Sequence, residues 1–433
     1  MFGQNIGIFS VVGALFHQFT LFSLFFFLNS FQYQVKIANL AVLYFLILLK
    51  PICVYIFCFF GGAVDRKIGT HLTIILGSLS ICLSDFLSII FKNFFILDFF
   101  FIIFYGIGFG ISMTSAVGNA CRYFPKNRGL INAICIGTGG NLGFVLFNFM
   151  IQRYRNYTQY LVFHIIYMIV GTILAVGFIT TFKETNMDHP LINESNSKTE
   201  RLTNSLEIEE KNNDNNDIPI TTQIDNIGEQ QAELKVILKH WRIYYISLIF
   251  FCTFFVQDFI NTVGFNFGTN IVEYIEITKK PSKMSIIFKI MNVICCITAP
   301  IWGFLYDKLE FQKTLMLVNC LSMLNSFLIK FTSHTIITYA FSIIFNGSLN
   351  IGSFIMIYPH VSKVFGFKYA GEMYGIVVLS TGISSLIASL LLHSFGIRYD
   401  YNSCYKVFFI GSGLNLIGIL LAFFETDEKF LSL

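Results

Sequence analysis

Six polar residues stand deep inside long apolar stretches, and their types limit the chemistry open to them. His17 and Gln18 fall in the first stretch, Lys50 in the second, Gln257 and Asp258 in the seventh, and Asn292 in the eighth. An ionisable group at the centre of a bilayer costs at least ~2.5–3.5 kcal/mol on insertion scales, so each one needs a reason. Lys50 lies about half a span from either water phase, too far for its stem to snorkel. The adjacent Pro51 removes an amide and frees a carbonyl. A cation there suits an anion bound within the membrane, or else a buried carboxylate, for which Asp258 is the candidate. Asp258 alternatively carries a proton, and His17 is a second candidate for proton chemistry near neutrality. The plainer reading is that an intramembrane histidine is a hydrogen-bonded packing residue and that Asn132, Asn141 and Asn292 simply join helices. Asp85 and Lys289 stand nearer the outer ends of their stretches, where snorkelling accounts for them.

No metal-ligand spacing, nucleophile elbow or Walker sequence accompanies these residues, so no enzyme, primary pump or cofactor is expected. Gly106-Ile107-Gly108-Phe109-Gly110 and Gly137-Thr138-Gly139-Gly140 sit within apolar stretches with no strand before them. They read as close-packing surfaces rather than nucleotide loops.

The elements that must position these groups are organised around a stretch that occurs twice. Gly61-Gly62-Ala63-Val64-Asp65-Arg66-Lys67-Ile68-Gly69 lies where one apolar stretch ends and the next begins, and Gly303-Phe304-Leu305-Tyr306-Asp307-Lys308 lies at an equivalent junction. A constant offset of 242 carries Gly61 onto Gly303, Asp65 onto Asp307 and Arg66 onto Lys308. The same offset carries Lys126 onto Lys368, Gly129 onto Gly371 and Gly140 onto Gly382, which argues for two related halves. Glycine lets helix ends approach closely, and a carboxylate near one helix end can accept from free amides at the start of a neighbour. We therefore expect a tight loop, or hinge, at each copy.

Composition sets the surroundings. The chain has 433 residues, 55% hydrophobic and 12% charged, with a mean hydropathy of +0.67. A soluble domain of that composition could not cover its surface with polar groups. Twelve apolar stretches predict membrane helices near 6–28, 37–60, 72–91, 94–118, 130–150, 160–182, 243–263, 285–306, 315–331, 336–358, 371–395 and 407–424. The fold class expected is thus an all-α membrane protein, with twelve transmembrane helices in two pseudo-symmetric six-helix bundles. Residues 1–182 form the first bundle and 241–433 the second. Between them, 183–240 is a polar linker expected to be disordered, with a short surface helix within 229–240. Lys and Arg balance across the short loops, and the linker's cations tip hinges, linker and termini to the cytosol. A net charge of +4 gives no reason to expect nucleic acid. The partners implied are the lipid bilayer and a small-molecule substrate, with a monomer in a plasma or organelle membrane.

These features resemble the major facilitator superfamily: twelve spans in two halves, a central linker, and a G-x-x-x-D-R loop after span two that is repeated after span eight. Gly61, Asp65 and Arg66 match the first copy, and Gly303, Asp307 and Lys308 the second. A narrower likeness covers Tyr123-Phe124-x-Lys126-x-Arg128-Gly129-Leu130-x-x-Ala133-x-x-x-Gly137, and Phe365-Gly366 through Gly371, Tyr374-Gly375 and Gly382. It is similar to monocarboxylate transporters and oxalate/formate antiporter-like carriers.

The resemblance implies a secondary active or facilitative carrier working by alternating access, with spans one and seven lining the pathway. Organic anions such as monocarboxylates are the expected substrates, with protons as the coupling ion. A carrier of amino acids or other polar metabolites is the alternative, and a non-transporting sensor or scaffold the alternative from another class. The resemblance also implies gating roles for the hinges together with Arg122 and Arg128. Asp65 would meet the start of span eleven, near Gly371 and Glu372, and Arg122. Asp307 would play the mirrored role near Gly129.

Overall fold

The computed structural model describes residues 2–22, 40–90, 94–151, 157–180, 234–267, 283–394 and 401–425. Twelve long helices account for nearly all of them. In the first half these are α1 (Phe2–Leu21), α2 (Leu40–Ile68), α3 (Thr70–Ile90), α4 (Phe94–Tyr123), α5 (128–151) and α6 (Tyr157–Phe178). In the second half they are α7 (Trp241–Phe267), α8 (283–309), α9 (311–332), α10 (Ile336–Phe365), α11 (Ala370–Ser394) and α12 (Tyr401–Phe424). A short helix, Leu234–Lys239, precedes α7. Among the described residues no strand occurs. The expected disorder of the linker falls almost wholly outside the described residues, as do the side chains of Lys50 and Asp258, which lie within α2 and α7.

The helices are amphipathic in a sense suited to lipid. On α3, Leu72, Leu76, Leu79, Leu83, Phe86 and Ile90 recur at three- and four-residue spacing and lie exposed. The opposite face buries Thr73, Gly77, Ser78, Ser84, Asp85 and Ser88. A stripe of large apolar side chains without protein cover suits acyl chains, while small and polar groups turned inward allow close, hydrogen-bonded packing. The glycine-rich stretch of α4 is used this way: Gly106 and Gly110 sit against Cys53 and Val54 of α2, and Gly108 against Gly77 of α3.

Two seams join the halves, α2 against α11 and α5 against α8. Along α5, Ala133–Gly139 winds as a π-helix between α-helical Arg128–Asn132 and Gly140–Ile151. Gly137 there presses on Ala299 of α8, and the Thr138 hydroxyl donates to the carbonyl of Cys296 at 2.9 Å.

The structure corrects two expectations. The hinge stretches are not loops: Gly61–Ile68 completes α2, and Gly303–Asp307 lies inside α8. The reversals come just after, at single left-handed residues, Gly69 (φ 84°) and Glu310 (φ 68°). Only one residue per turn needs to leave the helical region, so the helix carries its charges past the end of the apolar stretch. Asp85, expected to snorkel, is instead fully buried and paired with His164 of α6. It lies on the inward face of α3, so its side chain has no route to water along the lipid side.

Candidate functional site

Near the hinges, α5 begins in the first half without a cap of its own. Asn127 stands at the N-cap position but makes no side-chain cap bond. Asp307, at the end of α8 in the other half, supplies what is missing. Its Oδ1 accepts from the Gly129 amide at 2.9 Å and its Oδ2 from the Leu130 amide at 2.8 Å. A carboxylate there satisfies orphan donors and complements the positive end of the helix dipole. The approach depends on Gly129 and Gly303. A Cβ on Gly303 would lie 2.5 Å from the Gly129 carbonyl oxygen, and one on Gly129 would lie 2.7 Å from that of Gly303.

The α2–α11 seam is built differently. A Cβ on Gly62 would stand 2.5 Å from the Glu372 amide nitrogen. Arg66 forms an ion pair with Glu372 in the first turn of α11, and its guanidinium lies 4.6 Å from the centre of the Tyr369 ring. Asp65 feels both Arg122 and Glu372, yet the bonded contact to α11 is made by its neighbour Arg66. Burial lifts the Asp65 carboxyl above the usual carboxylate range, while Arg122 and the hydroxyls of Thr70 and Ser115 pull it back. Asp65 thus makes its hydrogen bonds within its own half, to Thr70 and Ser115, whereas Asp307 bonds across the seam. Lys308 is exposed and lies 5.7 Å from the ring of Phe304, one turn back on its own helix.

Contacts whose partners the sequence did not reveal complete this layer. Arg128 was expected to act here, but its partners were not: it stacks 4.2 Å over Phe367 and donates to the Ser362 hydroxyl at 3.4 Å. Asn132 donates across the halves to the Ile355 carbonyl at 2.5 Å. The Tyr358 hydroxyl presses on Gly118 of α4. In this state the halves are closed against each other on the hinge side.

Deeper in the membrane, the polar residues form bonded sets within each half. His17 Nε2 lies 3.2 Å from the Ser112 carbonyl, and Gln18 donates to the Met113 carbonyl at 2.7 Å, fastening α1 to α4. Gln257 donates to the Ser353 hydroxyl at 3.3 Å, and Asn346 to the Gln257 carbonyl at 3.5 Å, fastening α7 to α10. Asn292 donates to the carbonyl one turn back, Phe288, at 2.6 Å, so its amide is used within its own helix. The carboxamide oxygens of Gln18, Gln257 and Asn346 are buried without a hydrogen-bond partner, as is His17 Nδ1. Unpaired buried acceptors are costly, and a solute bearing hydroxyl or ammonium donors would satisfy them. Asn346 and Ser353, seven residues apart on one face of α10, could have been found from that spacing.

Comparisons with known proteins agree with this architecture. The Major Facilitator Superfamily profile matches residues 5–389. The fold is similar to that of the proton:xylose symporter XylE, with a TM-score of 0.64 and 14% identity over 96% of this chain and 94% of that one. A double-tryptophan XylE mutant gives a TM-score of 0.66 at 14% identity, covering 99% of this chain and 98% of that one. The human organic anion transporter MFSD10 gives 0.64 at 12% identity, covering 97% and 99% respectively. At such identities these likenesses establish the fold alone. A search of curated proteins finds no significant match. With its family signature running through both halves, the chain belongs to the major facilitator superfamily of membrane transporters, as a multi-pass membrane protein.

Proposed function

We propose that this transporter moves small organic anions, monocarboxylates among them, by alternating access, with proton coupling. The observation that carries alternating access is the hinge-side layer. It is built from discrete contacts across the two seams, among them the Asp307 cap, the Arg66–Glu372 pair and two glycine–glycine approaches. Contacts of that kind separate as units when the halves rock, because no helix has to unfold. Anion selectivity is supported by Lys50 near the middle of the second apolar stretch and by the loop likeness before α5.

A second reading, a carrier of uncharged polar metabolites or amino acids, is favoured by the unpaired acceptors of Gln18, Gln257 and Asn346. Reconstituted vesicles loaded with the purified protein separate the two readings. Labelled lactate, xylose and alanine are each offered with and without an imposed pH gradient. Saturable lactate uptake stimulated by an inward proton gradient supports the first reading, and uptake of xylose or alanine alone supports the second. Uptake of none of them favours a sensor or scaffold.

A further inference from the structure

Away from both seams, α3 and α6 bury an ionisable pair that the gating layer does not use. His164 Nδ1 lies 2.5 Å from Asp85 Oδ2, and both side chains are fully buried. The second carboxylate oxygen, Asp85 Oδ1, has no hydrogen-bond partner. Replacing a buried ion pair by apolar residues is often neutral or stabilising, so packing alone is a poor reason for one in a lipid-facing sector. Counting along the helices, the pair sits roughly 10 Å inside the face on which α6 begins, at 1.5 Å per residue.

The surroundings tie it to α1. The titratable side chains near the pair include Cys82 on α3 and Tyr105 on α4, which feel the Asp85 charge, buried Tyr160 one turn before His164 on α6, and Tyr167, 6.4 Å from the His164 ring. Tyr105 donates to the Leu21 carbonyl at 3.2 Å, and Tyr167 to the Phe19 carbonyl at 3.4 Å. Both tyrosines therefore hold the end of the helix that carries His17 and Gln18.

We propose that Asp85 and His164 form a proton-binding site of the first half, loaded from the face on which α6 begins, and that its occupancy acts on the end of α1 through Tyr105 and Tyr167. With one proton shared along the Nδ1–Oδ2 contact the pair is electrically neutral and can stay closed in lipid. Loss of that proton leaves a bare carboxylate beside a neutral imidazole, which is stable only if water enters. Deprotonation and local opening are thereby one event. A hydronium at the open face returns the proton and leaves as water, and no other bond changes. The use of this proton in transport rests on the carrier reading above, whereas its binding does not.

The test needs no substrate. Infrared and ¹⁵N-histidine titrations of the full chain in nanodiscs, over about pH 5 to 9 where histidine-linked groups exchange protons, are paired with hydrogen exchange at residues 19–22. Wild type should show a carboxyl signal that grows as pH falls, absent in Asp85→Asn and displaced in His164→Gln. Protection factors at the end of α1, taken relative to the intrinsic base-catalysed exchange rate at each pH, should rise severalfold along the same profile, and Tyr105→Phe should weaken that link while leaving the titration in place. Should Asp85→Asn fail to insert, the wild-type and His164→Gln titrations decide. A pair whose signals stay constant over the range, or one that titrates while α1 exchange does not follow, overturns the proposal. Failure of every uptake assay would leave these readouts intact, so the two ideas fail separately.

Discussion

Asp307 caps a helix that begins in the other half of the molecule, with both carboxylate oxygens on the amides of Gly129 and Leu130. A helix that closed its own N-terminus would be indifferent to the position of the second half. Because α5 is capped in trans, its first turn is satisfied in this way only when the hinge side is shut, so the cap's free energy belongs to the closed state.

Removing the cap should therefore shift the conformational balance. A charged cap is worth about 1–2 kcal/mol, a five- to thirtyfold change in the equilibrium. Asp307→Ala should open the hinge side by about that factor, and Asp307→Asn, which keeps one acceptor, by less. Electron–electron resonance distances between spin labels at Lys67 and Lys308 report it as a growing long-distance population.

Glycine-to-alanine changes at the seam should act in the same direction for a steric reason. The added Cβ of Gly303→Ala meets the Gly129 carbonyl and the Ala133 side chain, neither of which is a flexible side-chain tip. Overpacking of this kind costs typically ~1–3 kcal/mol, paid only when the halves close. The expected outcome is normal insertion, with turnover reduced by roughly five- to 150-fold in the vesicle assay.

The Arg66–Glu372 pair should be asymmetric to mutation. Glu372 is almost wholly buried whereas Arg66 is about a quarter exposed, at 1% and 26% of their side-chain areas. Arg66→Ala leaves a buried carboxylate, and should destabilise the closed state by on the order of 1–3 kcal/mol after allowance for solvent screening. Glu372→Gln leaves a guanidinium that can turn to water, and should cost less. A double-mutant cycle on the label distances measures the coupling, and additivity of the two changes would count against a direct interaction.

Lys50 and the linker give two further expectations. Lys50→Gln should abolish lactate uptake while the protein remains in the membrane, and unimpaired uptake would remove Lys50 from the pathway. Deleting Asn193 to Ile227 should leave transport in place, whereas a sensor with the linker as its output arm would lose its response.

What could be read from the chain alone were properties of composition and of recurrence. Apolar length pointed to the helices, because burial in lipid depends on local composition, and the 242-residue offset pointed to two related halves, because duplication leaves a constant spacing. The glycine-rich stretch of α4 was likewise legible as a packing surface. Helix ends were not: the apolar stretch ends near Phe60, but α2 continues to Ile68, since backbone bonding does not stop where hydropathy falls.

Which partner each polar group meets was decided only by the tertiary structure. Asp65 and Asp307 occupy the same place in the repeat, yet one hydrogen-bonds to hydroxyls of its own half and the other caps a helix across the seam. Asp85 read as a snorkelling acid until the packing of α3 on α6 brought His164 to it from 79 residues away. A charge in lipid demands a partner wherever the fold can supply one. The sequence states that demand, and only the packed helices answer it.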